Sequence, residues 1–236
     1  MLVNKMQQYK KVLKRFIRLK FWWLYAKPVN DTFLYDINQA VAKKIGMKPF
    51  KVIKVAEASF YNAMVFSFSC KSITITSFLK EAGRDAIEGV FLHEYAHCKL
   101  KHGQKLFCLA LLLLILSILP VTYLLLNSTS MIEAVFASIT LALVYIFVQL
   151  ILRRKARRFE YEADLFAALH ATNSCAYIDL LCSFLRHKPF KNKINKITEI
   201  FSSHPSPHSR IENIVRHFPE MLKCMENTCR GGPGGI

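Results

Sequence analysis

His93, Glu94 and His97 stand in the order His-Glu-x-x-His, with Tyr95 and Ala96 between them. On a helix, residues four apart share a face, so the two imidazoles can hold one metal ion, and zinc suits nitrogen ligands at this spacing. Glu94 lies beside them, placed to take a proton from water that the metal has made acidic. A catalytic zinc needs three protein ligands and one open position. Candidates for the third stand further on, in the run Glu160-Tyr161-Glu162-Ala163-Asp164. Glu160 and Asp164 share a helix face, so one can bind the metal while the other orients a ligand histidine by hydrogen bonding. Glu162 is a rival for the third position.

The elements around these residues follow from periodicity. Residues 31–45 carry Phe33, Leu34, Ile37, Val41 and Ile45 at helical spacing, and Gly46 ends the run. Residues 51–55, 60–68 and 72–76 read as strands of a small sheet. After Gly83 a helix beginning near Asp85 runs into the histidine motif. Residues 107–126 form an uncharged apolar run, 127–130 a polar turn, and 134–152 a second apolar run. Each run is long enough to cross a bilayer. Further helices are expected at 176–186 and from about Ser209, which carries Ile211, Ile214 and Val215. The fold class is therefore α+β and mainly helical, with a two-helix transmembrane hairpin between the two metal-ligand motifs.

This ordering divides the chain into a basic, aromatic membrane-interface segment (1–30), a first half-domain with the histidine motif (31–105) and the hairpin (106–152). A second half-domain (153–222) and a flexible, glycine-rich tail (223–236) follow. Along helices, His97 and Glu160 lie at about the same height, roughly 12–15 Å above one membrane face.

Net charge is +17 and the hydrophobic fraction 53%, above the ~45–50% apolar content of ordinary soluble domains. The basic residues crowd next to apolar segments, and no nucleic-acid motif accompanies them, so the charge points to an anionic bilayer and not to DNA or RNA. Lys99, Lys101 and Lys105 flank one end of the hairpin, and Arg153, Arg154, Lys155, Arg157 and Arg158 the other. By the positive-inside rule both ends face the cytoplasm, and so short a chain fits best in a bacterial inner membrane. His102, close to the first span, reads as an interfacial residue and not as a ligand. The seven cysteines are an odd and scattered set, which fits free thiols in a reducing cytosol; Cys224 and Cys229, near the glycine-rich end, read as incidental thiols.

The motif pair with a hairpin between resembles the membrane zinc metalloproteases that include the HtpX heat-shock proteases and the CAAX prenyl proteases. Three further stretches are similar to that family: Asn62-Ala63-Met64, residues 85–92, and Ser203-His204-Pro205 with Arg210. The resemblance implies a gluzincin-type domain with one Zn²⁺ on His93, His97 and Glu160, Glu94 as general base, and Asp164 behind a ligand histidine. It further implies that Asn62, Ala63 and Met64 open a strand that pairs with an extended protein substrate. His204, in a rigid His-Pro loop, would steady the oxyanion, and Arg210 would ion-pair with a site carboxylate. The expected activity is endopeptidase cleavage of misfolded or membrane proteins. The alternative from another class is an inactive membrane scaffold with a structural zinc, against which an intact Glu94 argues. CAAX proteases enclose a chamber with seven spans, which this chain is too short to build, and the glycine that follows the Asn-Ala strand in the family is replaced by Val65-Phe66-Ser67.

Overall fold

Asp31 caps the first long helix, α1 (Thr32–Lys44), by accepting a hydrogen bond from the Leu34 backbone N–H. The helix buries Leu34, Ile37 and Val41, and ends at Gly46, whose φ of 67° belongs to the left-handed region that glycine enters freely. The computed structural model describes residues 21–127, 130–186, 202 and 204–229. Most of the expected basic interface segment, the Ser203 position and the glycine-rich end lie outside the described residues.

Four strands make one sheet in the order β1-β2-β4-β3: β1 (Lys27–Pro28), β2 (Val52–Ala56), β3 (Ala63–Val65) and β4 (Ser72–Thr76). The two central strands, β2 and β4, are parallel and carry the wholly buried Ile53, Ile73 and Ile75; the outer two run antiparallel to their neighbours. β3 is shorter than the 60–68 run expected from composition. The chain turns at Phe66, whose carbonyl accepts from both Ser69 and Cys70, and Cys70 takes φ of 48°. β3 pairs with β4 on one side, and its other edge faces the site described below.

α2 (Arg84–Lys99) is the most enclosed helix, with every residue from Gly89 to Ala96 buried. It stops at Leu100, and Lys101 with φ of 56° turns the chain into α3 (His102–Leu126). α4 (Met131–His170) opens with a capping box between Ser130 and Glu133 and runs 40 residues without a break, about 60 Å. Its first half is the second apolar run; its second half enters the domain carrying Glu160 and Asp164. Nothing in the most apolar stretch of α3, and 6% of that in α4, is buried.

Among the described residues, α5 (Ser174–Arg186), α6 (Pro207–His217) and α7 (Leu222–Cys229) follow. Ser206 caps α6, and Ile211 and Ile214 pack it into the core shared with α1, α2 and α5. Two expectations are corrected here. Residues 223–229, assigned above to a flexible tail, belong to α7, because Cys224, Met225 and Cys229 pack on the core. Six of the seven cysteines are not free thiols: Cys70–Cys98, Cys175–Cys224 and Cys182–Cys229 are disulfides, with Cα–Cα separations of 5.9, 5.3 and 5.4 Å. Only tertiary folding brings these partners together; Cys108 alone is free.

Candidate metal centre

One helical turn separates His93 from His97, and the buried face of α2 aims both rings at the same point, with their Nε2 atoms 3.2 Å apart. From the facing turn of α4, Glu160 brings one carboxylate oxygen to 3.7 Å from His93 Nε2 and the other to 3.6 Å from His97 Nε2. Three ligands arranged tetrahedrally around zinc, each at about 2.0–2.1 Å, stand about 3.3 Å from one another. The observed separations are close to that spacing, and the two nitrogens and one oxygen converge within 4.8 Å. Donor set and spacing therefore fit a zinc ion. Glu162, the rival ligand, turns the other way and contacts His102.

Burial and mutual charge set the protonation of these groups. Burial, followed by the nearby His93 charge, pushes the His97 ring down to about 3 and so keeps it neutral, as a metal ligand must be. Burial alone would raise the Glu160 carboxyl, but the hydrogen bond from His204 and the charges of His93, His204 and Arg210 outweigh it and hold the group at about 2. Burial raises the carboxyl of Glu94, only partly opposed by the His93 charge and by a hydrogen bond from the Val65 backbone. A carboxylate raised from its usual range is a stronger base, which suits proton abstraction.

Behind His93 lies a closed polar cluster. The Asp164 Oδ1 is 2.9 Å from His93 Nδ1 and also accepts from the Tyr177 hydroxyl at 2.8 Å. Arg210 donates to both oxygens of Asp164 and, at 3.3 Å, to the Tyr177 hydroxyl. An ionised carboxylate can only accept, so it draws the proton of His93 to Nδ1 and leaves Nε2 bare for a metal. Burial opposes ionisation of Asp164, but the Arg210 charge and hydrogen bonds and the contact with His93 hold its carboxyl well below the usual carboxylate range.

The site opens into a cavity of about 270 Å³ whose wall includes Asn62, Ala63, Met64 and His204. Asn62 anchors the start of β3 by exchanging hydrogen bonds with Thr76, and its side chain accepts from the Ala63 N–H. His204 is 71% exposed, at the rim, with Nδ1 3.2 Å from the Glu160 carboxylate. Every site residue expected from the sequence therefore lies around this one cavity or directly behind it.

Two residues that sequence reasoning misplaced or missed also belong to it. His102, expected at the bilayer interface, is 2% exposed, because the turn at Lys101 folds it back under α2. Its Nδ1 lies 3.1 Å from His97 Nδ1. Tyr177 was not singled out; a buried tyrosine on an amphipathic helix reads as core, and nothing local marks its hydroxyl as a partner of Asp164.

The family model described as peptidase family M48 matches residues 29–217. The chain is 30% identical over 186 residues to the human protein named metalloendopeptidase OMA1, mitochondrial, a match covering 74% of this chain and 34% of that one. The crystal structure of S. mikatae Ste24p superposes with a TM-score of 0.62 at 18% identity, over 91% of this chain and 58% of the other. The chain thus spans about a third of the human relative and just over half of the solved one, and at this identity the second likeness speaks to the fold alone. Because the family match takes in β2 to β4, both ligand motifs and Arg210, the chain belongs to peptidase family M48.

Proposed function

We propose that the protein is a membrane-anchored zinc endopeptidase that cleaves extended segments of misfolded or membrane proteins. The observation that carries this reading is the convergence of two histidine Nε2 atoms and the Glu160 carboxylate beside a buried Glu94, at the open edge of a β-strand. His93, His97 and Glu160 would hold the ion. A bound zinc supplies Lewis acidity and lowers the pKa of water at its open position. Glu94, buried beside the ligand set, would act as the base that takes the attacking water's proton and returns it to the leaving amine. A substrate strand lies along the free edge of β3, recognised by backbone hydrogen bonds and therefore with loose sequence preference. His204, at the rim beside Glu160, would donate to the oxygen of the scissile carbonyl as it gains charge.

The exposed apolar surfaces of α3 and α4, each longer than the ~30 Å of a bilayer's hydrocarbon core, support a spanning hairpin that docks the domain on the membrane. Two observations bear on which side the domain occupies. The basic flanks of the hairpin favour the cytoplasm. The three disulfides favour an oxidising side, since such pairs are rare where thiols are kept reduced. The disulfides point to the oxidising side: basic flanks also serve anionic headgroups, whereas free thiols have no reason to sit in three bonding pairs.

The test of the central reading is zinc content and casein cleavage by detergent-purified protein, with and without Glu94→Gln. One zinc in both proteins and cleavage by wild type alone is the expected result, with a loss of about 10²–10⁴-fold or more in the variant. Zinc in both and cleavage by neither would favour the scaffold; absence of zinc from both would overturn the metal centre.

A further inference from the structure

His97 has two ring nitrogens. One faces the metal site, and the other is 3.1 Å from Nδ1 of His102. His102 is buried, its ring stacked on Phe159 at a centroid distance of 4.3 Å and an interplanar angle of 10°, and its Nε2 reaches the Glu162 carboxylate at 3.2 Å. Glu162 is itself steadied by Arg158, whose Nε lies 3.2 Å from the other oxygen. None of these groups figures in the proteolytic step set out above. We infer that His102 is the positioning residue of His97, and that Glu162 sets its orientation.

The argument is one of proton placement. The Glu162 carboxylate can only accept a hydrogen bond, so His102 carries its proton on Nε2. In a neutral ring the other nitrogen, Nδ1, is then a bare acceptor. His97 must donate to it from its own Nδ1, and is left with a lone pair on Nε2, the atom that stands 3.2 Å from His93 Nε2. A single carboxylate at the far end thus fixes the tautomer of both rings. The stack on Phe159 fixes the plane of the first. His102 is not a fourth ligand, because it meets His97 on the ring nitrogen that faces away from the convergence point.

The two ligand histidines are in this way held by different devices. His93 leans directly on the fully buried Asp164. His97 leans on a carboxylate through an intermediate imidazole, and that carboxylate stands at the basic base of the hairpin. Phe159 and Glu162 occupy one stripe of α4, and Glu160 and Asp164 the adjacent one. The same two turns of one helix therefore supply a ligand and the orienting groups for both histidines.

This inference rests on the metal reading, and its test separates the two. Zinc affinity of the full chain is measured by competition with a chromogenic chelator, alongside kcat and KM on casein, for wild type, His102→Phe, His102→Asn and Glu162→Gln. Phenylalanine keeps the stack on Phe159 and removes the acceptor; asparagine restores an acceptor oxygen. The expected result is a loss of zinc affinity of about 10- to 100-fold in His102→Phe, substantial recovery in His102→Asn, and a smaller loss in Glu162→Gln, with kcat falling and KM unchanged. The absorption bands of the Co²⁺-loaded protein should shift in His102→Phe, reporting a reoriented ligand. If wild type binds zinc and His102→Phe binds it within about twofold, His102 only fills space and the inference is wrong. Should that variant not fold, Glu162→Gln decides: wild-type zinc affinity and unshifted Co²⁺ bands in it overturn the inference. A wild type without zinc overturns the metal reading, and this one with it.

Discussion

Arg210 grips Asp164 with two hydrogen bonds, Nη2 to Oδ1 at 2.6 Å and Nε to Oδ2 at 2.8 Å, and the same Oδ1 lies 2.9 Å from His93 Nδ1. Asp164 is fully buried, so the guanidinium is the counter-charge that allows it to remain ionised there. Removing Arg210 leaves an uncompensated charge behind a metal ligand. Arg210→Ala should destabilise the domain by about 3–5 kcal/mol, read as a lowered thermal midpoint in detergent, and should weaken zinc binding. Arg210→Lys should recover only part of the loss, since an ammonium cannot bridge both carboxylate oxygens as a fork. A near-wild-type midpoint for the alanine variant would mean that Asp164 is not charged in the fold.

Gly89 offers a test of how closely α5 must approach α2. A Cβ at this position would lie 2.7 Å from Tyr177 Cδ2 and 2.9 Å from its Cβ. Tyr177 is 2% exposed and its hydroxyl is tied to Asp164, so the ring has nowhere to retreat. Gly89→Ala gains about 1 kcal/mol in helix propensity and loses about 1–3 kcal/mol to overpacking. A net destabilisation of up to about 2 kcal/mol is expected, together with weaker zinc binding as Tyr177 moves. A stabilised variant with wild-type zinc affinity would show that α5 can shift freely.

These two sites also show what a sequence can and cannot disclose here. The histidine motif and the Glu160–Asp164 pair are legible because helical spacing alone places each pair on one face, and the two apolar runs are legible from length. Tyr177 is invisible, because its role depends on a helix–helix approach that Gly89 permits from 88 residues away. His102 was misplaced because its neighbours in the chain suggest the bilayer, while the left-handed turn at Lys101, a position with no glycine to signal it, folds it inward. The cysteine pairs, separated by 28, 49 and 47 residues, have no local signature at all.

Tyr95, a variable position of the motif, fastens α2 to α1 and to the segment that leads into β2. Its hydroxyl donates to Asn38 Oδ1 at 2.6 Å and accepts from the Phe50 N–H at 2.9 Å, and its ring stacks on Phe50. Burial pushes this phenol up to about 12, so it remains a donor throughout the working range. Tyr95→Phe keeps the stack and strips Asn38 of a buried partner. A loss of about 1–2 kcal/mol in stability is expected with zinc affinity unchanged, a separation that unfolding and chelator competition together would reveal.

The disulfides carry the prediction about compartment. Cys175–Cys224 and Cys182–Cys229 lash α7 to α5, while Cys70–Cys98 ties the turn after β3 to the residue following His97. Loop closure over these separations is worth about 3.5–4 kcal/mol for each bond taken singly. Protein alkylated in intact membranes with a maleimide polymer should therefore gain at most one label, on Cys108, before reduction and up to seven after it. Reductant should lower the thermal midpoint, and Cys70→Ser should loosen the substrate edge and reduce cleavage while leaving zinc bound. Seven labels without reductant would place the domain among reduced thiols, return the weight to the basic flanks, and restore the cytoplasmic orientation they favour.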